Sequence, residues 1–115
     1  MKEMKNSSIS NDKYIIGIDI GGTNIRAALL DEERNIIEKI KIENQVKEGP
    51  EYNLDKIINH INSNWKDRNI KGIGVGSPGP LDIKNGIILK APNLQGWDNF
   101  NVKKYFEEKY NLFVT

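Results

Sequence analysis

The stretch GIDIGGTNIR, Gly17 to Arg26, constrains the fold more than any other part of the chain. The apolar run Tyr14 to Ile20 carries an aspartate next to its end, meets Gly21-Gly22, and is followed at Ile25 to Leu30 by a second apolar run. Short runs rich in β-branched residues and bounded by turn signals read as strands. With so little chain between them, the two strands must pair as an antiparallel hairpin. The near-continuous apolar character of the first run predicts a buried, central strand. A charged turn, DEERN, then leads into Ile36 to Ile42, whose second half alternates as a half-buried or edge strand does. The first third of the chain therefore predicts a three-stranded antiparallel meander.

The period changes after Gly49-Pro50, a helix-opening pair with Pro at the first turn. Leu54, Ile57, Ile58, Ile61 and Trp65 fall three and four apart and form one apolar stripe. His60 lies beside that stripe and reads as a solvated helix histidine, since no second metal ligand stands at helical spacing from it. Ile70 to Gly76 reads as another strand and LDIKNG as a hairpin tip with a short strand at Gly86 to Leu89. Asn101 is placed to cap a helix with Val102, Tyr105 and Phe106 inward. Leu112 to Thr115 begins a last strand. The order is strand, strand, strand, helix, strand, hairpin, helix, strand, an α/β pattern with a mixed sheet.

Composition narrows the function classes. Lys plus Arg is 17 against 16 Asp plus Glu, so the net charge of +1 offers no electrostatic footprint for nucleic acid or a membrane surface. There is no cysteine, and hence no disulfide frame or thiolate metal site. No apolar run reaches spanning length. Residues 1–13 lack a hydrophobic signal core and read as a flexible polar tail, which predicts a cytoplasmic protein. Residues 14–115 read as one domain.

Three glycine motifs compete for the chemistry. Gly17 and Gly22 have Walker A spacing, but Thr23 and Asn24 stand where Lys and Ser/Thr are required, and a strand follows where a helix is needed. Gly74, Gly76 and Gly79 match G-x-G-x-x-G, yet Pro78 and Pro80 flank the last glycine and a hairpin follows. The Asp19 turn reads better. Gly21 and Gly22 permit conformations closed to other residues and let a polyanion approach the backbone. Thr23 and Asn24 add a hydroxyl, an amide and free N–H groups. Asp19 repels phosphate directly but can hold it through Mg²⁺, which prefers carboxylate, water and phosphate oxygens. The alternative is a plain hairpin with a polar tip.

GIDIGGTNIR resembles the first phosphate loop of the sugar-kinase, Hsp70 and actin superfamily, whose fold is RNase H-like. GIGVGSPGPLDIKNGIILKAPNLQGW, Gly72 to Trp97, resembles the ROK family (repressors, open reading frames and kinases), with its P-G, later glycine and P-N-L-x-x-W. Together the motifs are similar to bacterial ROK glucokinases. The resemblance implies the N-terminal domain of an ATP- and Mg²⁺-dependent kinase phosphorylating a hexose or N-acetylhexosamine hydroxyl. By it Asp19 serves the Mg-phosphate, with Gly21, Gly22, Thr23 and Asn24 around the phosphates and Arg26 near the same charge. Gly79 and Asn93 serve the sugar, while Leu94 and Trp97 pack their loop.

The family's general-base aspartate, its His and Cys zinc motif and its adenosine-binding half have no counterpart in these residues. The expectation is therefore a chain inactive alone, truncated before the base-bearing segment, and a homo-oligomer. A non-catalytic sugar- or nucleotide-binding module remains an alternative. A ROK transcriptional regulator is another, though the polar residues ahead of Gly17 carry no helical stripe for a DNA-binding domain.

Overall fold

The computed structural model describes residues 12–110 together with 113–114. Most of the expected tail, and Leu112 and Thr115 of the expected last strand, lie outside the described residues. The meander forms as expected: β1 (Tyr14–Ile20), β2 (Asn24–Leu30) and β3 (Ile36–Glu43) pair antiparallel in sequence order. After the helix α1 (Pro50–Asn64), β4 (Ile70–Gly76) returns parallel to β1, which needs a crossover of this kind. The short β8 (Phe113–Val114) adds parallel to β4, giving the sheet order β3-β2-β1-β4-β8. The hairpin β5 (Leu81–Asp82) and β6 (Ile87–Ile88) carries a third strand that the sequence reading did not foresee. This is β7 (Phe100–Asn101), only two residues long.

β1 is central, as predicted, but it is buried on one face only. Tyr14, Ile16, Ile18 and Ile20 point into the core, while Ile15 remains 45% exposed and Asp19 is exposed. The run looked continuous because Ile15 and Gly17 sit on the open face, where an alternating strand would show polar residues. β4 presents Gly72, Gly74 and Gly76 at the positions paired with Ile15, Gly17 and Asp19.

The helix α1 starts as expected, with Gly49 as N-cap at φ 90° and Pro50 in the first turn. Its whole stripe is buried, from Leu54 to Trp65. Asn53 is buried with it, because its side chain binds the incoming chain: Nδ2 donates to Gln45 O (2.8 Å) and Gly49 O (2.7 Å), and Gln45 N–H donates to its Oδ1 (2.9 Å). His60 corrects the expectation of a solvated side chain. Its ring stands edge-on to Trp65 with centroids 5.5 Å apart, and its Nε2 is enclosed without a partner among the described residues. The Asn101 side chain caps the second helix, α2 (Val102–Lys109), by accepting from Lys104 N–H at 2.9 Å. Val102 and Phe106 enter the same core as α1 and the inner face of the sheet, and Tyr105 packs against it.

Two tyrosines fasten α2 to α1. Tyr105 donates to Asp55 Oδ1 at 2.5 Å, and Tyr110 donates to Asn62 Oδ1 at 3.3 Å. Burial, and then the hydrogen bond and charge of Asp55, lift Tyr105 well above the ordinary phenol range. Burial alone pushes Tyr110 up to about 12. Both phenols are thus harder to ionise folded than unfolded. Their contribution to stability is fully present below the unfolded pKa near 10 and is lost as pH rises from there through the folded value. Alkaline titration should show the tyrosinate absorbance of Tyr105 and Tyr110 appearing only together with loss of the helical circular dichroism. Ionisation of both well before any unfolding would refute this.

Candidate active site

The site lies where the carboxyl ends of the parallel strands β1 and β4 emerge side by side, the usual crevice of α/β sheets. The β1–β2 turn is tight. Gly21 N–H donates to Asn24 O at 2.9 Å, and Gly21 O accepts from the Asn44 side chain at 2.7 Å. Thr23 O accepts from Asn44 N–H at 2.8 Å. The N–H groups of Gly22 and Thr23 have no acceptor among the described residues, so the tip presents two free donors. Such a pair can receive anion oxygens.

The glycines are required here for a different reason than expected. Neither Gly21 nor Gly22 has a positive φ. A Cβ on Gly21 would lie 2.9 Å from Asn24 O, and one on Gly22 would lie 2.9 Å from Asn93 Cβ and 3.1 Å from Asn93 O. Space, not backbone freedom, excludes a side chain. The second contact also brings two predicted groups together: the Gly22 turn touches Asn93 directly.

Asn93 is exposed on a loop held from below by Ala91, Leu94 and Trp97, all buried. Leu94 and Trp97 therefore pack the loop, as expected. Trp97 also donates through Nε1 to Val46 O at 3.4 Å. Gly79 is exposed just beyond β4, and a Cβ there would meet Leu81 N at an ordinary 3.6 Å, so nothing in its surroundings demands glycine.

Asp19 and Arg26 are cross-strand neighbours on the open face of the sheet. They line a shallow depression with Gly17, Ala28, Lys41 and Gly74. Asp19 makes no ion pair among the described residues. No cluster of three potential metal ligands occurs among them either. A lone, accessible carboxylate does not make a protein cage, but it fits Mg²⁺, which binds through one or two carboxylates and takes its other ligands from water and phosphate. Asn24 shares the same face as Arg26, by strand alternation. Of the two acids expected in turns, Asp98 lies in one, whereas Asp82 ends β5 and accepts from Asn85 Nδ2 at 2.8 Å. A separate half-open cavity of about 320 Å³ between the hairpin β5–β6 and α2, lined by Val75, Ser77, Leu81 and Val102, contains none of the predicted site residues. Asn44, which sequence reasoning passed over, is the residue holding the turn. The only signal was its place at the end of an alternating strand.

Known proteins resemble this chain in sequence and in fold. The ROK family profile matches residues 15–115. The glucokinase of Thermotoga maritima is 33% identical over 110 residues, covering 87% of this chain and 35% of that protein. The xylose repressor of Caldicellulosiruptor bescii is 31% identical, covering 87% of this chain and 26% of that protein. Among solved structures, a ROK family glucokinase from Streptomyces griseus in complex with glucose and AMPPNP superposes with TM-score 0.76 at 30% identity, over 89% of this chain and 32% of that one. The chain thus spans about a third of the length of the relatives it matches. Its mixed sheet, hairpin and two helices are those of the RNase H-like kinases, and the chain belongs to the ROK family.

Proposed function

We propose that this chain is the N-terminal domain of an ATP-dependent ROK sugar kinase, and that it contributes the phosphate turn and one sugar-binding loop. The observation that carries the reading is the contact of Gly22 with Asn93, which sets a pair of free N–H donors beside an exposed side-chain amide. In this role the Gly22 and Thr23 N–H groups receive phosphate oxygens, and Thr23 and Asn24 add side-chain donors. Asp19 would hold Mg²⁺, which when bound would offset the charge of the phosphates. Arg26 adds positive charge from the neighbouring strand. Asn93 donates to and accepts from sugar hydroxyls and so fixes the acceptor, and Gly79 leaves its backbone open to the same ligand. Phosphoryl transfer depends mainly on such positioning and charge stabilisation. The similarity to glucokinases favours glucose as the hexose. No residue described here is assigned as the base that deprotonates it.

Titration of ¹⁵N-labelled chain should move the Gly22 and Thr23 amides with Mg-AMPPNP and the Asn93 amides with glucose. If saturating levels of both leave these signals in place, the reading fails. Asp19→Asn should weaken Mg-AMPPNP binding about tenfold or more and abolish its dependence on Mg²⁺, while the glucose response persists, because a neutral amide is a poor ligand for a hard cation. An unchanged Mg²⁺ dependence would remove Asp19 from the site.

The similarity to a xylose repressor supports a second reading, a sugar-sensing module. It keeps the glucose or xylose response at Asn93 and loses the nucleotide response at Gly22, so the same titration separates the two.

A further inference from the structure

We infer that Asn44 is the positioning residue of the phosphate turn, an inference that rests on the phosphate reading of that turn given above. Asn44 is 6% exposed and stands just beyond β3. It touches the turn twice, donating through its backbone N–H to Thr23 O (2.8 Å) and through Nδ2 to Gly21 O (2.7 Å). The peptide between Gly21 and Gly22 is trans, so its carbonyl and N–H point to opposite sides. Pinning the Gly21 carbonyl to Asn44 therefore turns the Gly22 N–H away from Asn44 and outward. Gly21 O has no other donor among the described residues. The side chain of Asn44 supplies the bond that a hairpin of this size would otherwise draw from its own backbone.

Two further features mark Asn44 as more than packing. Its Oδ1 is buried without a partner among the described residues. An unpaired buried acceptor is a cost that an apolar side chain would avoid, so the amide's one bond, to Gly21, is the reason left for having it. Asn44 is itself anchored. The next residue, Gln45, exchanges hydrogen bonds with the fully buried Asn53 of α1, and the one after, Val46, accepts from Trp97 of the Asn93 loop. The segment from Asn44 to Val46 thus ties the turn, the helix and the Asn93 loop to one another. A donor anchored in this way holds the free N–H groups in place before any anion arrives, and preorganised donors are the ones that stabilise developing charge.

The test uses Asn44→Asp, of the same size but without the donor, and the matched pair Asn44→Thr and Asn44→Val, of one shape with and without a hydroxyl donor. Each is compared with wild type for amide exchange at Gly21, affinity for Mg-AMPPNP and melting temperature. The expected result is loss of Gly21 protection and at least tenfold weaker Mg-AMPPNP binding in Asn44→Asp and Asn44→Val. Asn44→Thr should bind more tightly than Asn44→Val, beyond any difference in melting temperature. Affinity and protection equal to wild type in both Asn44→Asp and Asn44→Val would overturn the assignment. If wild type itself ignores Mg-AMPPNP, the phosphate reading fails. The Gly21 exchange then still decides whether Asn44 sets the turn.

Discussion

Trp97→Ala is expected to cost about 3–5 kcal/mol, the usual range for emptying a buried aromatic site. The indole is fully buried, meets Phe100 edge-on with centroids 6.4 Å apart, and donates to Val46 O. Little could collapse into the space, because Leu94 and Phe106 are already at full burial around the same core. A domain of this size has about 5–15 kcal/mol to lose, so the variant should stand at the edge of folding. Urea unfolding would show a lower midpoint with unchanged slope. The Asn93 amide should broaden or shift in the same variant, because the floor of its loop has gone. A loss under about 1 kcal/mol would mean that the loop does not depend on this anchor.

Gly22→Ala should have an effect far out of proportion to one methyl group. Its Cβ would have to share space with Asn93 Cβ at 2.9 Å, a distance real Cβ atoms essentially never show, and would crowd Asn93 O at 3.1 Å. Overpacking of this kind costs about 1–3 kcal/mol. Because either loop must yield, the responses to Mg-AMPPNP and to glucose should fall together. Gly79→Ala is the control: the added methyl meets only an ordinary contact, and stability should stay within about 0.5 kcal/mol of wild type. If Gly22→Ala lost the nucleotide response and kept glucose binding intact, the loops would be independent and the central observation would lose its force.

The framework of the fold was legible wherever a periodic pattern ran for several residues. The alternation of β3, the stripe of α1 and the Asn101 cap each specify their element locally, and each formed. The candidate residues Asp19, Thr23, Asn24, Arg26 and Asn93 came from motif resemblance, and the fold makes Asp19 and Arg26 cross-strand neighbours and sets Asn93 beside the Gly22 turn. Three things were not legible, for separate reasons. β7 is too short to carry a period. The open face of β1 was masked by Ile15 and Gly17, neither of which is polar. Asn44 and Asn53 are single polar residues whose meaning depends on distant partners: Asn44 binds Gly21, 23 positions away. The reason for Gly22 was hidden in the same way, since its neighbour Asn93 is remote in sequence and adjacent in space.

The contact between Gly22 and Asn93 also bears on how this sequence can drift. The two positions draw on one small volume, so a substitution at either changes what the other can accept. Asn93→Gly vacates the Cβ that a methyl at position 22 would strike, leaving only the backbone oxygen in the way. A lineage that lost the amide first could then acquire alanine at 22, whereas the reverse order passes through a doubly impaired protein. Relatives that have given up one ligand should therefore carry changes at both positions, in that order of acquisition, and reconstructed intermediates with alanine at 22 beside an intact asparagine should be rare.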